Sequence, residues 1–237
     1  MMLSYEKDVC DNDLLIDDDQ NQIMMEWEKP YMEACIDYLN IYGSVLEVGF
    51  GLGYSARRIC SSPNITEYTV IECSPVVWKR FKKFRNEFPH IKMNLIKGRW
   101  EDVLCLCNKY DRCFFDDYNS SMDEKNRFSK FLYYFIQNHA NMHCKIGSYS
   151  TILEKFNLSA IKTTSEQYDI KIPSHCRYAR GSSMYVVCFE KVGKLTEEEL
   201  LGWKKSLNKK KTFGKLTSAP IFKAVSNGYG KIKLTTI

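Results

Sequence analysis

The residues of this 237-residue chain best placed to do chemistry are glycines that follow an apolar run and acidic residues that close others. Gly49, Gly51 and Gly53 stand as G-x-G-x-G directly after Val45-Leu46-Glu47-Val48. A short apolar run reads as a buried parallel strand, and glycines just past it let the backbone turn tightly against a ligand. The third glycine of a dinucleotide fingerprint falls on Tyr54, so the NAD pattern is incomplete. Nineteen residues beyond Gly53, Glu72 closes the run Tyr68-Thr69-Val70-Ile71, where a carboxylate can accept from both ribose hydroxyls of an adenosine. No P-loop lysine accompanies the glycines. A nucleoside ligand without a pyrophosphate, S-adenosylmethionine, therefore fits better than NAD.

Asp116 and Asp117 close a second candidate strand, Arg112 to Phe115, at the end where open α/β sheets bind ligands. Glu28 precedes Pro30 at the start of a helix. If Glu28 and Asp116 reach one crevice, the pair needs a cation between them or a proton on one. A planar guanidinium meets both through paired charge-assisted hydrogen bonds. His139 and His143 are spaced i, i+4 but lack a third ligand at recognisable spacing, and Cys105 and Cys107 match neither a zinc knuckle nor a redox pair, so no metal is expected. No Ser-His-Asp or Cys-His arrangement stands out.

The elements that must position these groups alternate. A helix from Pro30 through Leu39 leads to the strand ending at Gly49, with helices after the glycines and after Ser74-Pro75, and further strands at Ile91–Ile96 and Arg112–Phe115. A long helix is expected from Asp123 to Met142 and a fifth strand from Gly147 to Leu153, with a terminal hairpin that includes Met184 to Phe189. That order argues for a doubly wound α/β sheet. Residues 1–22, rich in aspartate, read as a flexible N-terminal segment or lid, 23–191 as the main domain, and 192–237 as a C-terminal helix and basic tail. The net charge is +5, and ten lysines against three glutamates from Lys194 onward account for it. Ten cysteines without framework spacing read as reduced thiols, and with no signal-like or membrane-length apolar run the expected location is cytoplasmic.

Seven collinear stretches, MMEWEKPYM (24–32), VLEVGFG (45–51), VIEC (70–73), KGRWEDV (97–103), FDDY (115–118), IQNHA (136–140) and CRYA (176–179), resemble the guanidinoacetate N-methyltransferase family. The G-R-W and F-D elements are also similar to the fungal enzyme that methylates the internal nitrogen of protein arginine. The resemblance implies a class I methyltransferase fold, a Rossmann-like three-layer sandwich whose mostly parallel seven-stranded sheet has an antiparallel last strand. It also implies S-adenosylmethionine as methyl donor, with S-adenosylhomocysteine as product. Carried over by position, the cofactor contacts are Met24, Met32, Gly49, Gly51, Leu52, Gly53, Tyr54, Ser55, Ala56, Glu72, Cys73, Trp100 and Glu101. Glu28 and Asp116 correspond to the two carboxylates that grip the guanidinium and serve catalysis.

Tyr118, Lys155 and Phe156 join Glu28 and Asp116 as expected substrate contacts. The family's Asn-Leu-Thr stretch, whose backbone holds the substrate carboxylate, corresponds here to Glu154-Lys155-Phe156, and the basic tail has no counterpart in the small-molecule enzyme. Guanidinoacetate, a protein arginine and another guanidino compound all stay open as acceptor. The expected enzyme acts as a monomer or homodimer without a membrane partner. The competing reading is a methyltransferase-fold binding module whose lysine-rich tail engages nucleic acid or an acidic partner, with steep salt dependence. An NAD-linked oxidoreductase is disfavoured by Tyr54 and by the absence of a hydride-transfer partner.

Overall fold

The computed structural model describes residues 2–117, 126–150 and 156–208, and the backbone of 222–227 and 231–236. In chain order these form β1 (Leu3–Lys7), β2 (Asp13–Asp17), β3 (Gln22–Met25), α1 (Lys29–Leu39), β4 (Gly43–Val48), α2 (Tyr54–Cys60), β5 (Ile65–Glu72), α3 (Pro75–Arg85), β6 (Lys92–Lys97), α4 (Trp100–Val103), β7 (Tyr110–Phe115), α5 (Arg127–Asn138), β8 (Ala140–Ser148), β9 (Ile161–Asp169), β10 (Ser183–Lys191), α6 (Glu197–Asn208), β11 (Phe222–Asn227) and β12 (Lys231–Thr236).

The central sheet has the order β6-β5-β4-β7-β8-β10-β9. Its pairings from β6 to β8 are parallel, while β10 runs antiparallel to both of its neighbours. The strand order reverses at β4 and β7, the topological switch point where such sheets open a ligand crevice at their C-terminal ends. Alternate strand residues feed opposite layers because successive side chains point to opposite faces. Val45, Val70, Phe114 and Val186 pack with α1, α2 and α3. Leu46, Ile71, Cys113, Phe115 and Val187 pack with α4, α5 and Trp203 of α6. Both faces are covered, which explains apolar runs in place of polar–apolar alternation.

The N-terminal segment departs from the flexible segment expected for 1–22. β1, β2 and β3 form an antiparallel sheet. Asp8 and Asp17 satisfy their turns by accepting backbone N–H groups two and four residues on, an Asx device that holds hairpin turns. The sheet is anchored by Leu3, Leu15 and Met24 in the main core. The compact unit also runs to Leu207 and takes in nearly all of α6, whereas the sequence boundary stood at 191. Trp203 explains the extension, since it is 6 % exposed and packs against Tyr133 and Phe156.

Two further boundaries differ. α5 ends at Asn138, and Ala140 to Ser148 form β8, so its strand begins earlier than Gly147. Tyr110 pairs with Ala140, and the Tyr110 N–H donates to the His139 carbonyl at 2.7 Å, which draws the chain into the sheet directly after the helix. In the separate unit 208–237, β11 and β12 pair antiparallel, in the stretch read from the sequence as a basic tail. Among the described residues no helix is long and apolar enough to cross a membrane.

Candidate active site

The crevice at the switch point is a cavity of about 380 Å³. The glycine turn forms one wall because it needs backbone conformations that other residues rarely adopt. Gly49 has φ +84°, and a Cβ there would stand 2.1 Å from the Asp116 carbonyl oxygen. Gly51 has φ +51°, and its missing Cβ leaves room for the Met24 sulfur. The Leu52 N–H points at that sulfur at 3.3 Å, and the Tyr5 hydroxyl donates to the Gly51 carbonyl at 3.0 Å, so β1 and β3 are fastened to the turn. β4 stops here because Gly49 N–H still reaches the Ile71 carbonyl but Phe50 turns away, burying its ring against Phe81 and Phe84.

Glu72, at the end of β5, is buried and lines the same cavity. Its carboxylate accepts from Phe50 N–H at 3.0 Å and Ser74 N–H at 2.7 Å, which aims it while leaving lone pairs for hydroxyl donors. Burial raises its pKa against those backbone bonds. Cys73, with its thiol pushed up to about 11 by burial, and Trp100 complete this side. Glu101, expected as a cofactor contact, is absent from the cavity lining; it pairs with Arg127 at 2.6 Å, and its Oε2 is a buried acceptor with no donor among the described residues.

The two adjacent aspartates have separate surroundings. Asp117 accepts from the Trp100 indole N–H at 2.9 Å and from the Arg127 guanidinium. Asp116, also on the cavity wall, is held by its backbone N–H to Val48 at 2.9 Å, and no donor among the described residues reaches its carboxyl. Desolvation raises the Asp116 pKa well above the carboxylate range, and the charge of Glu28 is the next cause. Glu28 ends the 3-10 turn before α1 and is 3 % exposed. Burial pushes it up to about 7, opposed by the Met25 N–H at 3.1 Å and by the phenols of Tyr178 and Tyr149. Among the described residues, the buried Tyr149 hydroxyl has no hydrogen-bond partner of normal geometry. Asp116 on the cavity wall thus couples electrostatically to Glu28 and the Tyr149 phenol buried behind it, without a counter-cation among the described residues.

Of the residues expected from sequence, Met24, Gly49, Gly51, Glu72, Cys73, Trp100 and Asp116 line this cavity. Leu52, Gly53 and Tyr54 line a second cleft on the other side of the turn. Ser55 and Ala56 are buried in α2, Met32 is buried in α1, and Glu28 sits behind the cavity surface. Phe156 departs from its expected substrate role: it is absent from the cavity lining and packs against Phe189 and Trp203, because α6 closes over it. Tyr118 and Lys155 lie outside the described residues.

Several residues went unnoticed in the sequence. Glu47 is fully buried, bonded by the Ser55 and Tyr68 hydroxyls and pushed up to about 7 by burial, and ties the first turn of α2 to β4. A glutamate inside an apolar run was its signal. Arg127 and Tyr149 carried no local signal, and Tyr178 stood in the CRYA stretch without an assigned role, since each meets its partner only through the fold.

The comparisons with known proteins bear on the family and the fold. Over 96 residues the chain is 36% identical to protein arginine N-methyltransferase 2 of Aspergillus oryzae, covering 39% of this chain and 22% of that protein. The match to the Cryptococcus neoformans protein of the same name is 31% over 107 residues, 38% of this chain and 29% of that one. The chain thus spans less than a third of the length of these curated relatives. Among solved structures, the O-methyltransferase TomG of Streptomyces achromogenes, in complex with S-adenosylmethionine, superposes with a TM-score of 0.51 at 15% identity, covering 69% of this chain and 80% of TomG. The precorrin-6y C5,15-methyltransferase of Geobacter metallireducens gives 0.50 at 11%, covering 74% and 97%. These likenesses speak for the fold. The profile of guanidinoacetate N-methyltransferase matches residues 4–167, from the first strand through most of β9, and the chain belongs to that family.

Proposed function

We propose that this S-adenosylmethionine-dependent methyltransferase places its methyl group on a guanidino nitrogen. The observation that carries the acceptor is the pair Asp116 and Glu28, two recessed carboxyl groups whose raised pKa values mark an uncompensated site for a cation. A guanidinium presents donors in a planar fork that suits two carboxylates.

The cofactor fits the residues present. The turn at Gly49 and Gly51 gives close backbone approach, Glu72 offers acceptors to a ribose diol, and Trp100 adds an aromatic wall to the same cavity. When bound, the cofactor supplies an electrophilic methyl on a sulfonium and leaves as S-adenosylhomocysteine.

The chain's own residues then have three tasks. Asp116 accepts N–H donations from the guanidinium and turns one nitrogen toward the methyl, which is largely a matter of position. Glu28 holds the other edge and is itself held by Met25 N–H and Tyr178. As the nitrogen gains its methyl it loses a proton, and the Asp116 carboxylate takes it.

The test is a methyl-transfer assay with labelled cofactor over guanidinoacetate, free arginine and an arginine-containing protein extract. Label on a guanidino nitrogen is the expected result. Transfer only to oxygen, sulfur or nucleic acid overturns the proposal.

A further inference from the structure

Away from the cavity, the turn between β1 and β2 meets the loop that precedes β10. Asp8 and Cys10 come from the turn, and His175 comes from the loop, 167 positions along the chain from Asp8. The carboxylate, thiol and imidazole each offer one ligand atom, and these atoms all lie within 4.8 Å of one another. His175 Nε2 stands 2.8 Å from Asp8 Oδ2. Asp8 Oδ1 accepts the N–H groups of Cys10 at 2.8 Å and Asn12 at 3.0 Å, which fixes the direction of the carboxylate. The Asn12 side-chain amide stands 3.4 Å from Oδ2, a long contact that leaves that oxygen chiefly to the imidazole. The Asp8 side chain is 4% exposed and that of His175 24%, while Cys10 is open to solvent, so an ion has an entry path on the thiol side.

The turn itself does not require these groups. The next turn, between β2 and β3, has the same construction: Asp17 accepts from Asp19 N–H, Asn21 N–H and the Asn21 side-chain amide. Its residues, Asp17 to Gln22, include neither cysteine nor histidine. The first turn adds a thiol and an imidazole to a scaffold that works without them. A borderline-soft dication accepts thiolate, imidazole and carboxylate together, and three protein ligands leave a fourth position for water. One carboxylate, one thiolate and a neutral imidazole also balance its charge.

We infer that Asp8, Cys10 and His175 form a binding site for a zinc-type divalent cation that clasps the β1–β2 turn to the loop before β10. Binding displaces the Cys10 thiol proton and the imidazole proton from the ligating nitrogen, the latter to the other ring nitrogen or to solvent. Besides the His175–Asp8 contact, three hydrogen bonds already tie this loop to the N-terminal segment: the Gln22 side-chain amide donates to the His175 carbonyl at 3.1 Å, and at 2.7 Å Arg177 N–H donates to the Gln22 side-chain oxygen and the Arg177 guanidinium to the Gln20 carbonyl. The metal reinforces these ties directly before the segment that carries Tyr178 to Glu28.

Full-length protein stripped with chelator under reducing conditions is titrated with ZnCl2 by calorimetry and with CoCl2 by absorption spectroscopy. The expected result is one metal per chain and a near-ultraviolet thiolate-to-cobalt band, both lost in Cys10→Ser and in His175→Gln. Cys10 is exposed, so Cys10→Ser keeps the fold, which circular dichroism checks. Absence of stoichiometric binding by the unaltered protein, or an undiminished cobalt band in Cys10→Ser, overturns the inference. Neither readout uses methyl transfer, so its failure leaves the proposed acceptor untouched.

Discussion

Arg127 bonds the Asp117 carboxylate, while the adjacent Asp116 carboxyl meets no donor among the described residues. Two aspartates that look alike in sequence are thereby divided. Asp117 joins Trp100 and Arg127 in one wall of the cavity, and Asp116 is left with an unmet demand for a cation.

This division predicts opposite phenotypes. Asp116→Asn should lower kcat by about 10²–10⁴-fold with little change in S-adenosylhomocysteine affinity. Asp117→Asn should weaken that affinity, because it loosens Trp100 and Arg127. Single-turnover transfer and calorimetric titration of the product cofactor separate the two, and an active Asp116→Asn enzyme would remove Asp116 from the mechanism.

The buried carboxyl groups make stability depend on pH with a definite sign. Burial pushes Glu28 and Glu47 up to about 7 from an ordinary 4.5. The native state therefore holds protons that the unfolded chain has released, so this contribution is full below about 4.5 and is lost as pH rises through about 7. For each group the amount is on the order of 3 kcal/mol. Thermal melting of the free protein should show Tm falling over that interval, with a smaller fall in Glu28→Gln.

Guanidinium binding should run the other way. A cation between Glu28 and Asp116 favours their ionised forms, so binding releases protons and tightens as pH rises toward 8. Calorimetry in buffers of different ionisation enthalpy measures that release. Binding with no proton release would count against the carboxyl pair as the grip.

Tyr178→Phe removes a phenol that steadies the ionised form of Glu28. The acid limb of the pH–rate profile should move to higher pH while the melting temperature changes little, since the ring and its contact with Trp27 remain. An unchanged limb with an equal fall at every pH would assign Tyr178 a packing role alone.

Gly49→Ala tests the turn. Its Cβ would meet the Asp116 carbonyl oxygen at 2.1 Å in a backbone at φ +84°, so strain and displacement of Asp116 come together. A loss of ~2 kcal/mol or more is expected in denaturant unfolding, together with loss of transfer.

The features legible in the chain alone were those with local causes. The apolar run ending in Gly49, Gly51 and Gly53 marked β4 and its turn, because a buried parallel strand must be apolar and its tight exit needs left-handed backbone. Glu72 and Asp116 were readable as strand-end carboxylates for the same reason. Distant packing set the rest. β1 to β3 are short strands between aspartate-rich turns, and they are held by docking Leu3, Leu15 and Met24 on the core. Phe156 was drawn to an aromatic cluster completed only by Trp203 of α6. Glu28 and Asp116 stand 88 positions apart in the sequence. Their electrostatic coupling, the sorting of Asp116 from Asp117 by Arg127, and the approach of Tyr149 and Tyr178 to Glu28 all depend on which buried charges find partners, and only the folded chain decides that.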